Sequence, residues 1–362
     1  VAPDSFKGCL SSPAAAAAIA RGLQRSGMEL DVAIQPMADG GEGTLRAMAT
    51  GGGSWRSQTV ASVDAAAIPV PAPLLLDGDR ALIELASVAA FGQGTGAGAL
   101  GRCTSGVGLL VRSAVALGAT RVSIAAGGSG TVDGGAGALR ALGFRILDAG
   151  GQTIGPGFAG LETVCAIEPP PHPLPGLQVL CDVQNPLLGA RGAARVFGPQ
   201  KGLDSGQVER AEAALARFAS VLHQATGRDP SAVPGAGAAG GFAGGLWAAA
   251  DAALVPGFDA IAQAVDLARQ VGCADVVITG EGRLDGQSAG GKVLSGIARM
   301  CVDAGKRVVV LAGDVTPEGR QWGESQGMEV WQIGEKDTPS AIRMAHAQDL
   351  LLDTASRLDL GR

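Results

Sequence analysis

The sequence predicts an α/β protein of two domains, and three observations carry that prediction. Near the C-terminus, the apolar runs "ADVVITG", "KRVVVLAG" and "MEVWQIG" alternate with helical patterns. Runs that are apolar throughout, rather than at every second residue, belong to parallel strands covered on both faces. The length of 362 residues suits two domains, each able to bury its own core. Composition also shifts in the middle: from about Ser57 to Pro256 come the proline clusters "PVPAP" and "EPPPHPLPG", glycine-rich loops and longer helices. The simplest organisation is a discontinuous domain, 1–57 with 257–362, into which a second α/β domain, 58–256, is inserted.

The elements follow in order. "SSPAAAAAIARGLQRSG" predicts a helix with Ser12 as N-cap, Pro13 in the first turn and Gly27 ending it. "LDVAIQPM" reads as a strand, and "ADGGEGTLRAMA" as a loop entering a helix. In the middle, Ser205 to Thr226 reads as one long helix. After the strand "ADVVITG", residues Gly282 to Asp285 read as loop, "KVLSGIARMCVDAG" as a helix, and the last two apolar runs as strands. No internal repeat is present.

Composition excludes some functions. Hydrophobic residues at 46% and charged residues at 17% suit a globular chain with little disorder. A net charge of −6 argues against a nucleic-acid or membrane surface, both of which demand a basic face. Ala14 to Ala20 is too short for a membrane span. No stretch has the pattern of a cleavable signal, and a cytoplasmic location is expected. The opening "VAPDSF" reads as though the chain entered midway through a first strand. Six scattered cysteines without a C-x-x-C pair, and only three histidines, leave little for a structural zinc site. Most of these cysteines are expected to be reduced and buried.

Residues Gly286 to Val293, "GQSAGGKV", satisfy one enzyme signature and nearly satisfy another. G-x-S-x-G would present Ser288 as a nucleophile, but such an elbow follows its strand directly, and here Gly282 to Asp285 intervene. G-x-x-x-x-G-K would be a phosphate loop, but Val293 replaces the hydroxyl residue that holds the metal. "GAGAAG" at Gly235 to Gly240 matches a dinucleotide fingerprint without the preceding strand it needs. What recurs instead is a set of four glycine-rich loops, each before a helical pattern: the opening stretch, Ala38 to Thr44, Gly127 to Gly137, and Gly235 to Gly245. Backbone N–H groups in such loops bind anions without extra lysines. Asp4, Asp39, Glu42, Asp133, Asp182, Glu281 and Asp285 sit in these loops or at strand ends, where an open α/β sheet binds ligands. Carboxylates beside phosphate-binding loops can hold Mg²⁺, and one can accept a proton from an attacking alcohol. With Lys7, Lys201 and Lys292, they point to phosphoryl transfer.

As a set, "APDSFKG", "PMADGGEGT", "GGSGTVDGGAGALRALG", "CDVQNPLLGARGAARVFGPQKG", "PGAGAAGGFAGGL" and "DVVITGEGRLDGQSAGGK" resemble the bacterial type I glycerate kinases, in the same order and over nearly the whole chain. The resemblance implies a flavodoxin/Rossmann-like parallel-sheet domain from both chain ends plus an inserted α/β domain. It also implies ATP-dependent phosphorylation of D-glycerate with Mg²⁺, most often to 2-phosphoglycerate. Both GQSAGGKV signatures are then coincidental.

By matching motifs, the resemblance places Asp4, Ser5, Glu42, Gly128, Ser129, Thr131, Asp133, Asn185, Lys201, Gly280, Glu281 and Gln287 at substrate and nucleotide. Asp182, with Asp39 or Asp285 as alternatives, is the expected general base. Lys7 and Lys292 are expected at phosphate, and Asp39, Glu281 and Asp285 at the metal. The family's "TSyGvG"-like motif is shorter here, at Thr104 to Gly108, and the chain has no tyrosine. If that segment shapes the glycerate pocket, acceptor preference would differ from that of relatives. A kinase forming 3-phosphoglycerate or acting on a related hydroxy acid is the alternative, and a non-catalytic binding protein on the same scaffold is the alternative from another class. The expected partners are ATP and D-glycerate, with no nucleic acid or membrane, and the chain is expected as a monomer or homodimer.

Overall fold

The structure, a computed structural model, describes residues 1–51, 53–92, 98–286, 292–335 and 338–361. The chain divides into two compact units. The unit from the middle of the sequence, called inner for that reason alone, holds Gly40–Leu45 and Trp55–Gly257, and the unit from the chain ends, called outer, holds Val1–Asp39, Arg46–Ser54 and Phe258–Arg362.

In the inner unit, β2 (Pro69–Asp77) pairs antiparallel with both β1 (Arg56–Val63) and β3 (Arg80–Glu84). Then β4 (Arg121–Ala125) pairs parallel with β3. A separate antiparallel pair, β5 (Arg145–Asp148) and β6 (Val164–Glu168), follows. Strands β7 (Gly176–Leu180) and β8 (Ala253–Val255) extend the parallel half, giving the order β1-β2-β3-β4-β7-β8. Pro69, Pro71 and Pro73 alternate along β2, so their missing N–H groups fall on one side. On β2, β3 pairs with Leu75–Asp77 alone, so none of these prolines faces it. The parallel strands carry the apolar runs that sequence patterning requires: Ile83, Ile124 and Val179 are fully buried.

The helix Ser205–Thr226 covers this core with Leu215 and Phe218. Its ends are those expected. Asp204 and Gln207 form a reciprocal capping box, and Gly227 closes the helix in the left-handed region. Burying Phe218 contributes about 2–3 kcal/mol in hydrophobic transfer.

The outer unit has a parallel sheet of β9 (Val276–Leu284), β10 (Arg307–Val315) and β11 (Met328–Gln332), in the order β11-β10-β9. Residues 1–4 lie along β9, with Ala2 N–H donating to Ile278 O at 2.7 Å and Asp4 N–H to Gly280 O at 2.9 Å. Residues 33–37 lie along residues 1–4 in the same way: Gln35 N–H donates to Val1 O and Met37 N–H to Pro3 O, both at 2.9 Å. "LDVAIQPM" is therefore an extended partner of the sheet without being a regular strand. Pro3 and Pro36 lack the N–H donors that a full ladder needs.

Three further expectations change. The first helix is capped by Ser11, one residue before the expected Ser12, through Ala14 N–H at 3.4 Å. Strand β9 does not stop at Gly280. It runs to Leu284, paired with β10 as far as Val315. The glycines that read as loop punctuation lie inside this pair. A Cβ on Gly280 would sit 2.4 Å from Leu311 O, and one on Gly313 would sit 2.4 Å from Gly282 O. Their lack of a side chain serves close approach of backbone to backbone. The six cysteines form no disulfide, but only Cys103 and Cys301 are buried; Cys165 points outward from β6 and Cys273 is exposed at a helix end.

The outer core gathers Phe6, Ile19, Val309, Leu311 and Leu351, all at most 1% exposed. Among the described residues, no helix is long and apolar enough to cross a membrane.

Candidate active site

Parallel strands end at one edge, so residues that follow them in sequence collect there. In the outer unit that edge forms a pocket of about 410 Å³, whose lining includes Asp4, Ser5, Lys7, Asp39 and Glu281. Asp4 follows the first extended segment, Asp39 the second, and Glu281 lies near the end of β9. Burial pushes the Asp4 carboxyl up to about 6, and the negative charge of Asp39 pushes the same way. The Ser5 N–H, donating to Asp4 Oδ1 at 2.6 Å, and the charge of Lys7 act in the opposite direction.

Three groups that sequence reasoning missed also line this pocket: Arg283, Asp314 and Arg343. Arg343 Nη2 donates to Asp314 Oδ1 at 2.8 Å, and its side chain is only 9% exposed. Asp314 could have been found, since it follows the apolar run of β10 as Asp39 follows "AIQPM". Arg343 carried no local signal, because a helix far along the chain, Ser340–Ala345, delivers it. Asp285 is not in the pocket lining; its Oδ2 lies 3.1 Å from Arg283 Nε. Gly280 sits buried inside β9, so its place is explained by packing on Leu311. Gln287 and Ser288 lie outside the described residues, and Lys292 stands first in the helix Lys292–Asp303.

The inner unit presents a second set at its own parallel edge. The loop after β4 meets the Gly40–Gly43 loop: Gly127 N–H donates to Gly40 O at 3.1 Å. A Cβ on Gly127 would lie 2.5 Å from Gly41 Cα, so only glycine permits this approach. Gly128 stands next to Glu42. Asp182, just after β7, accepts from Gly257 N–H at 2.9 Å. Asn185 Nδ2 donates to Arg191 O at 2.7 Å.

Two predicted ligand contacts are turned inward instead. Asp133 is fully buried, and its carboxylate accepts four bonds: from Thr104 N–H (2.8 Å), Thr104 O–H (2.9 Å), Gly135 N–H (3.1 Å) and Gly137 N–H (3.1 Å). It braces the glycine loop from within. Burial raises its pKa although all four bonds oppose the rise. Lys201 is 4% exposed; its Nζ donates to Thr131 O at 2.8 Å and to Ser129 Oγ at 3.4 Å. Burial lowers this ammonium to about 7, against the charge of Asp133. Ser129 Oγ and Thr131 Oγ1 share a hydrogen bond of 3.1 Å. Thr104 to Gly108 packs largely inward as well. Thr104 is buried on Asp133, Ser105 begins a helix, and a Cβ on Gly106 would lie 2.0 Å from Val63 O. A shortened motif there alters packing of the core.

Among the described residues, no group of three or more His, Cys, Asp or Glu side chains is arranged to hold a metal. Asp39 and Glu281 nonetheless share the outer pocket. Two carboxylates without a full cage suit Mg²⁺, which keeps several waters and takes further oxygens from substrate phosphates.

Acids and cations gathered at the edges of parallel sheets define an enzyme of anionic small molecules. The comparisons narrow that class. The model of the Glycerate kinase family matches residues 1–359, and the chain belongs to that family, a family of phosphotransferases. A glycerate kinase of Halalkalibacterium halodurans is 38% identical, over 87% of this chain and 85% of that protein. A glycerate 2-kinase of Escherichia coli K12 is 37% identical, over 88% and 85%. A crystal structure of a Salmonella typhimurium LT2 protein provisionally named glycerate kinase 2 superposes with a TM-score of 0.85 at 35% identity, covering 98% of this chain and 95% of that one.

Proposed function

We propose that this chain transfers the γ-phosphoryl group of ATP to D-glycerate, with 2-phosphoglycerate as product. The observation that carries the reading is the outer pocket, where Lys7 stands among Asp4, Asp39 and Glu281 at the ends of parallel strands. Phosphoryl transfer asks mainly for positioning and for neutralisation of charge, and this pocket offers groups for both. Lys7 and Lys292 would contact phosphate oxygens as point charges. Asp39 and Glu281 would hold Mg²⁺, which when bound supplies neutralisation of the transferring group. Asp285 would orient Arg283 toward the same oxygens. Ser5, Glu42, Gly128, Ser129 and Asn185 would contact substrate or nucleotide.

The proton of the attacking hydroxyl would pass to Asp182. A second reading gives this role to Asp4, since a carboxyl near 6 suits a base that works close to neutrality. The E. coli relative, a glycerate 2-kinase, supports the 2-phosphate product. A cytoplasmic location, and a monomer or homodimer, complete the proposal.

³¹P NMR of the purified protein with ATP, Mg²⁺ and D-glycerate tests the reading. A new phosphomonoester resonance split by one carbinol proton is expected, whereas a 3-phosphate would be split by two methylene protons. ATP and glycerate left unchanged would sink the substrate assignment, and nucleotide binding without turnover would favour a binding protein.

A further inference from the structure

Glu84, the last residue of β3, is a buried carboxylate, 7% exposed, that no motif pointed to. Its Oε1 accepts from Gly43 N–H at 3.0 Å and its Oε2 from Leu45 N–H at 3.1 Å. The Gly43 amide closes the turn that follows Glu42, and the Leu45 amide lies in the first turn of the helix Thr44–Thr50 that continues from it. The carboxylate stands on rigid ground, since Leu85 N–H next to it donates to Ala125 O at 2.9 Å and so ties β3 to β4. On its other side the same turn is gripped by Gly127, whose N–H donates to Gly40 O at 3.1 Å. The Gly40–Gly43 loop is thus clamped between the end of β3 and the loop after β4.

We propose that Glu84 is a positioning residue for the reaction: it holds the Gly40–Gly43 loop so that Glu42 stays in working register. This rests on the reading of Glu42 as a ligand contact. A carboxylate suits the task because each of its oxygens accepts from one amide, and charge-assisted bonds are shorter and stronger than neutral ones. Glutamine would offer one oxygen and turn its NH₂ toward the second N–H, which then loses its acceptor. A buried charge is not needed for stability alone, since apolar residues of similar volume often fold as well or better. What it adds is a fixed geometry for a neighbouring functional group.

The test is a double-mutant cycle of E84Q and E42Q, with kcat, KM for ATP and for D-glycerate, and the unfolding midpoint of each variant. E84Q is expected to lose about 10- to 100-fold in kcat with KM changed by less than about threefold, and the double variant to be no slower than E42Q alone. A loss confined to the midpoint, an E84Q enzyme within about twofold of wild type, or losses that multiply in the double variant would overturn the proposal. An E42Q enzyme at the wild-type rate would instead sink the role of Glu42, and the route through it. Should E84Q fold poorly, E84D keeps the charge but is one methylene too short to reach both amides. Its expected slow turnover supports the proposal, and full turnover overturns it.

Discussion

Asp4 and Asp133 are both acids of glycine-rich stretches, both buried enough for their carboxyls to be raised, and the structure uses them in opposite ways. Asp133, in the inner unit, spends its hydrogen-bonding capacity on four donors of its own unit and has no exposed surface. Asp4, in the outer unit, faces a pocket alongside Asp39, Lys7 and Glu281. The lysines divide the same way: Lys7 is exposed at the pocket, and Lys201 is buried against Thr131 and Ser129. Residue type within a motif therefore does not separate chemistry from architecture. Solvent access and the count of internal partners do.

The strongest way to break this comparison is D133A. The substitution leaves the buried N–H groups of Thr104, Gly135 and Gly137 without their acceptor, so a loss of about 3 kcal/mol or more is expected in chemical denaturation. An unchanged midpoint with lost activity would move Asp133 to the reacting groups.

A smaller effect is expected at Lys201. Its folded pKa of about 7 lies below the unfolded value of 10.5, so the unfolded chain binds more protons between those values. Stability should rise with pH across that window, be fully present above it and be lost as pH falls toward 7. Denaturation midpoints at a series of pH values should show the rise in wild type and a flatter profile in K201M. Equal slopes would mean that the buried amine does not titrate as the geometry requires.

Much of the fold was legible because local physics decides it. The helix Ser205–Thr226 was readable with the bounds the structure gives it, and β10 and β11 through continuous apolar runs. The extension of β9 through Gly282 was not legible, because glycine reads as a breaker until its partner, Gly313, is known to lie opposite. The antiparallel pair β1 and β2 was hidden in another way: β1 is largely exposed and β2 alternates prolines. Of the candidate site, the strand-end acids Asp4, Asp39 and Glu281 were visible in sequence, and the structure brings them to one pocket. Arg343 and Glu84 were invisible, because distant parts of the chain deliver them and their partners lie on other elements.

The central claim, that the outer pocket does chemistry while the inner glycine loop is braced from within, is tested most directly at Asp4. The measurement is kcat/KM against pH for wild type and D4N, with the unfolding midpoint followed alongside. A carboxyl raised from 3.8 to about 6 contributes stability that is full below 3.8 and lost as pH rises through 6. D4N should therefore be at least as stable as wild type above that pH. If Asp4 is the base, as in the second reading above, its kcat/KM should nonetheless fall by about 10²-fold or more, and the acid limb expected of wild type near pH 6 should be gone. A D4N enzyme that keeps both the rate and the acid limb of wild type would remove Asp4 from the chemistry, contradict its place in the outer pocket's reaction and leave the base to Asp182.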